Sequence, residues 1–161
     1  MRYTLRKALL IAIAILVIAL VGLVLSGNAQ KSRTTNVAAP LMQQPLYTDY
    51  KGVKLGMTPQ EVRAKLGDPV LKDAEMDYFV FSENVTAQVV YDKTQKVRII
   101  SVDYANGAGA PDYHAIVGTE LETRPDGSTY KSIRYEAQGF WVSYNRTAGT
   151  APIVTITIQK I

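Results

Sequence analysis

Along Val85–Asp92 the apolar residues Val85, Ala87, Val89 and Tyr91 alternate with Thr86, Gln88 and Asp92. A period of two is the pattern of a strand with one buried face. Similar segments rich in β-branched and aromatic residues, broken by polar turns, are Glu75–Ser82 and Val97–Tyr104, then Thr129–Glu136, Gly139–Asn145 and Ile153–Gln159. Asp92–Lys96 and Asn145–Pro152 read as hairpin loops. In Gly139–Asn145 the side chains Phe140, Val142 and Tyr144 share one face, and Trp141, Ser143 and Asn145 share the other.

The pattern changes to that of a helix between Gly56 and Pro69. Thr58 is a good N-cap, and Pro59 fits the first helical position. Glu61 completes a capping box with Thr58, and Met57 with Val62 forms a hydrophobic staple. Gly67 suits a residue with positive φ after the last turn, and Pro69 prevents a restart. Val62 and Leu66 then lie on one side of about two helical turns. A second, less completely capped helix is expected around Asp112–Val117.

Sliding the chain on itself by about 53 residues brings two halves into register. Pro59 matches Pro111, Gly67 matches Gly118, Phe81 matches Tyr135, and Val89–Asp92 matches Val142–Asn145. Asn106–Gly109 reads as the hinge. The expected organisation is residues 1–29 as cytoplasmic n-region and membrane segment, 30–50 as tether, 51–105 as one unit and 106–161 as a divergent second.

The string Gly56-Met57-Thr58, Glu61-Val62 and Leu66-Gly67-Asp68-Pro69, followed by Tyr78–Phe81, resembles the SmpA/OmlA (BamE-like) family. These are small lipoproteins of the outer-membrane β-barrel assembly machinery. The likeness covers roughly Val53–Tyr104. It implies an α+β fold: two tandem units, each a short helix packed on a three-stranded antiparallel sheet, as in the tandem-repeat β-lactamase inhibitor proteins. It also implies a role in cell-envelope assembly through an envelope protein partner.

Ala8–Leu25 is a run of 18 apolar or glycine residues behind Arg2, Arg6 and Lys7. That length can just cross a bilayer and predicts an N-terminal transmembrane helix, a single-pass inner-membrane anchor with the C-terminal part in the periplasm. A signal peptide cleaved near Ala29 is the alternative. The chain has no cysteine, which excludes disulfides, thiol catalysis and the lipid-bearing Cys of the resembled family. The net charge of +4 comes from the N-terminal region. From Lys51 onward 13 basic residues balance 13 acidic ones, a pattern that does not suggest nucleic acid.

His114 is the only histidine and has no Ser or Cys at motif spacing, so no catalytic residue is assigned and the protein is read as non-enzymatic. Asp73, Glu75 and Asp77 alternate. They read as a solvated strand face that charge protects from aggregation, with no metal ligand set and no cofactor implied. Trp141 stands on the face expected to be open and is the candidate interaction residue. The expected function is an extracytoplasmic binding or scaffold module. The alternative is an inhibitor or ligand sensor that binds in the cleft between two repeats.

Overall fold

In the computed structural model, which describes residues 44–161, helix α1 spans Pro59–Leu66. Its ends follow from local chemistry. Thr58 Oγ1 accepts from the Glu61 N–H at 3.3 Å, and Glu61 Oε2 accepts from the Thr58 N–H at 2.7 Å. The capping box is thus closed in both directions. The Thr58 N–H, and then the Thr58 hydroxyl, which donates to the same oxygen at 2.8 Å, hold the Glu61 carboxyl below the ordinary carboxylate range. Gly67 ends the helix at φ 86°, and its N–H reaches Arg63 O. Thr58→Ala should cost about 1 kcal/mol in denaturant titrations. Gly67→Val should also destabilise, because a β-branched residue resists positive φ. No neighbour crowds a Cβ at Gly67, so that cost is backbone strain alone.

Eight strands follow: β1 (Leu71–Lys72), β2 (Met76–Val80), β3 (Val85–Tyr91), β4 (Val97–Ala105), β5 (Glu122–Thr123), β6 (Thr129–Tyr135), β7 (Phe140–Arg146) and β8 (Ile153–Lys160). Helix α2 (Tyr113–Val117) lies between β4 and β5. Its cap is Asp112, which accepts the His114 N–H, and Gly118 closes it in the left-handed region at φ 69°. The helix expected around Asp112–Val117 is thus present, with Asp112 as its cap.

Two separate helix-on-three-strand units are not what forms. All eight strands belong to one antiparallel sheet in the order β1-β2-β3-β4-β8-β7-β6-β5. The join is the β4–β8 ladder, which runs from Ile99↔Gln159 to Ala105↔Ile153. Each half ends in a long strand whose outer edge carries unpaired N–H and C=O groups, and the two edges satisfy one another. Each half also gains a two-residue strand at the outer margin, β1 or β5. The succession helix, short strand, three long strands occurs twice. One match needs correction. Ala87 and Phe140 are 53 residues apart, and their ladder partners are Phe79 and Tyr135, so Tyr135 corresponds to Phe79 rather than to Phe81.

One sheet face carries the core. Phe79, Val89, Ile100, Val102, Val142, Ile156 and Ile158 are buried there, under Val62 of α1, Ile116 and Val117 of α2, and Tyr50 and Val53. The stretch before α1 is stitched to β4 by Gly56 N–H to Val97 O and Val97 N–H to Met57 O, both 2.8 Å. Val89 and Val142 are each 0% exposed. Truncating either to Ala should cost about 1–3 kcal/mol in denaturant titrations, from lost transfer energy plus a small cavity.

The expected transmembrane helix is not supported. Among the described residues no helix is long and apolar enough to cross a membrane. The run Ala8–Leu25, on which the anchor and its cleavable alternative rest, lies outside the described residues.

Candidate binding face

The opposite sheet face is built by register alone. Three rows of side chains cross six strands at right angles to the chain. The first is Val80, Thr86, Asp103, Thr155, Asn145 and Tyr130. The second is Tyr78, Gln88, Ser101, Thr157, Ser143 and Ser132. The third is Met76, Val90, Ile99, Gln159, Trp141 and Arg134. None of these eighteen is buried, so no described element covers the face. At ~4.8 Å per strand the five gaps of a row span ~24 Å.

The composition of this face is unusual for a solvated surface. Of the eighteen positions, only Asp103 and Arg134 are charged. The middle row is mostly small hydroxyls, with Ser101 and Thr157 in mutual hydrogen bond at 3.2 Å. The third row is aliphatic at β2–β4 and aromatic at β7. Depletion of charge with retained aromatic and aliphatic groups is the composition of an interface core. Trp141 stands in the third row between Arg134 and Gln159, partly exposed, while its neighbours Phe140 and Val142 point into the core.

Beside the middle of the first row a cavity of about 440 Å³ opens over the β4–β8 seam. Glu83, Asn84 and Asp103 come from the first half, and Thr147, Ile153 and Thr155 from the second. Thr155 Oγ1 donates to Asp103 Oδ1 at 2.6 Å. Next along the row, Asn145 Oδ1 is shut off from solvent with no hydrogen-bond donor.

The motif residues Gly56, Met57, Thr58, Pro59, Glu61, Val62, Leu66, Gly67 and Pro69 form and flank α1; Met57, Val62 and Leu66 pack with the core face. They are not brought to the open face. The acidic alternation separates. Asp73 is exposed and accepts the Glu75 and Met76 N–H groups at 2.7 Å, which shapes the β1–β2 turn, and Glu75 is exposed too.

Asp77 corrects the reading of a solvated strand face, because it is 0% exposed. Arg63 of α1 donates to it from Nε at 2.8 Å and from Nη2 at 2.7 Å, and the Tyr91 hydroxyl donates at 2.8 Å. Burial, then the Asp77 carboxylate, pushes the Tyr91 phenol far above its ordinary value. Hydrogen bonding to Asp77 raises the Arg63 guanidinium further. Asp77 shares the strand parity of Phe79, and that was the one signal in the sequence for its burial. This group holds α1 onto the sheet and leaves no side free for a substrate. Among the described residues, no three His, Asp or Glu side chains converge as a metal site.

No family model, curated protein or solved structure matches this chain.

Proposed function

We propose that this protein is a non-enzymatic, extracytoplasmic binding module that docks a cell-envelope protein on its open sheet face. The observation that carries the reading is the charge-poor, three-row face with Trp141 in it. Two features of the sequence support the envelope setting. Basic residues precede the apolar run Ala8–Leu25, an export pattern. The Gly56–Pro69 string resembles the SmpA/OmlA pattern.

Trp141→Ala tests the reading. A tryptophan at the centre of an interface contributes about 2 kcal/mol or more, roughly a thirtyfold change in affinity. The variant should melt like wild type, since the indole is not core. Crosslinking in the native envelope should retrieve an integral envelope protein with the wild type and lose it with Trp141→Ala. Undiminished retrieval by the variant would remove Trp141 and this face from the proposal.

The seam cavity favours a second reading, a sensor whose ligand sits between the two halves. Asp103→Asn would then abolish ligand binding and leave crosslinking to the envelope protein intact.

A further inference from the structure

We infer that His114, the only histidine of the chain, is a pH-operated clasp that fastens the approach to β5 onto α2. Its two ring nitrogens each face a carboxylate. Nδ1 is 3.2 Å from Asp112 Oδ1, and Nε2 is 3.2 Å from Glu120 Oε1. An ionised carboxylate only accepts hydrogen bonds, and a neutral imidazole has a single N–H. The imidazolium alone donates to both. The ring is held in place by Tyr113, whose own ring lies 4.1 Å away and packs edge-on to Tyr144.

The two carboxylates are not equally tied. Asp112 also accepts the His114 backbone N–H at 2.8 Å as the helix cap. Glu120 has, besides the ring, only the Tyr113 hydroxyl at 3.1 Å, and its side chain is 80% exposed. When the ring loses its second proton, Glu120 is therefore the group released. Two residues later the chain enters β5, the margin of the sheet.

The titratable groups around the ring are Asp112, Glu120 and the Tyr113 phenol. The strands under α2 bring Tyr144 and Arg146 on β7 and Lys131 and Tyr135 on β6, while Tyr130 and Arg134 of β6 stand on the opposite face. Lys131 is paired with Glu122 and Arg134 with Glu136. Protonation of the ring supplies the second N–H and closes the clasp, and loss of that proton opens it.

Amide hydrogen exchange at Glu120–Thr123, corrected for the intrinsic pH dependence of exchange, tests this on the full chain. Protection should be about two- to fivefold greater near pH 5.5 than near pH 7.5, the scale of an exposed ion pair. The difference should vanish in Glu120→Gln and in His114→Gln, surface changes that leave the core untouched. Equal protection at both pH values in wild type overturns the clasp. So does a pH dependence that survives in Glu120→Gln.

Discussion

Arg63→Ala should cost the fold about 3–5 kcal/mol, a large part of the 5–15 kcal/mol that holds a typical domain together. The substitution removes both guanidinium donors from the Asp77 carboxylate, which is 0% exposed in the wild type, and leaves only the Tyr91 hydroxyl bonded to it. Asp77→Ala should cost less, toward the lower end of that range. The Arg63 side chain is 23% exposed, so a guanidinium that loses its partner can turn to water. Tyr91 then keeps a buried hydroxyl without an acceptor. The double variant Arg63→Met with Asp77→Leu should recover most of the loss, because a buried pair replaced by apolar groups of similar volume is often near neutral. The second half already shows that substitution. Val89 pairs with Asp77 and its equivalent Val142 pairs with Ile133, so an apolar residue occupies the matching site. Denaturant midpoints of the three variants decide the matter. If both single variants lie within about 1 kcal/mol of wild type, the pair behaves like an exposed one and the account of this cluster fails.

The contrast between α1 and this ion pair shows what could be read from the sequence. Every determinant of α1 lies within Met57–Pro69, so cap, box, staple and stop were visible as spacing. The alternation in β3 and β7 was equally local, and it placed Val89, Val142 and Trp141 on the correct faces. The Arg63–Asp77 pair joins residues 14 apart on different elements. Asp77 sits in an acidic run whose other members, Asp73 and Glu75, are solvated as expected. Only its parity with Phe79 distinguished it.

The largest miss has the same origin. Pairing of β4 with β8 links Val102 to Ile156, and no local signal specifies which strand edge meets which. The repeated succession of a helix and three strands was legible, and its fusion into one sheet was not. The open face follows from that fusion. Its rows exist only once six strands are in register, so Trp141 could be assigned to a face but its neighbours Gln159 and Arg134 could not be named.

Raising the pH should unfold the protein between about pH 10 and pH 12, through four tyrosines on the core side. Tyr50, Tyr91 and Tyr104 are 7%, 4% and 5% exposed, and Tyr47 packs against the same core. Burial is the first cause of the upward shift at all four. The Tyr50 phenol is pushed up to about 12, with Tyr104 nearby adding to the effect. Tyr47 is raised further, by burial and then by Tyr104 and Tyr50. The sign follows from linkage. A folded-state value above the unfolded one means the fold binds the proton more tightly, so the contribution is complete below about pH 10 and is lost as pH climbs toward the folded value. Each of the three most strongly raised phenols, Tyr47, Tyr50 and Tyr91, removes about 1.4 kcal/mol per pH unit above 10, so together they remove roughly 4 kcal/mol by about pH 11. That approaches the whole stability of a small domain. Tyrosinate absorbance and far-ultraviolet circular dichroism, followed together, should change in one cooperative step. Tyr47→Phe and Tyr50→Phe should each move that step to higher pH, since each deletes one ionising group and keeps the ring. A gradual rise in absorbance from about pH 10 with unchanged dichroism would mean that these phenols ionise in the folded protein. In that case burial does not keep these phenols protonated, and their ionisation is not what limits the fold at high pH.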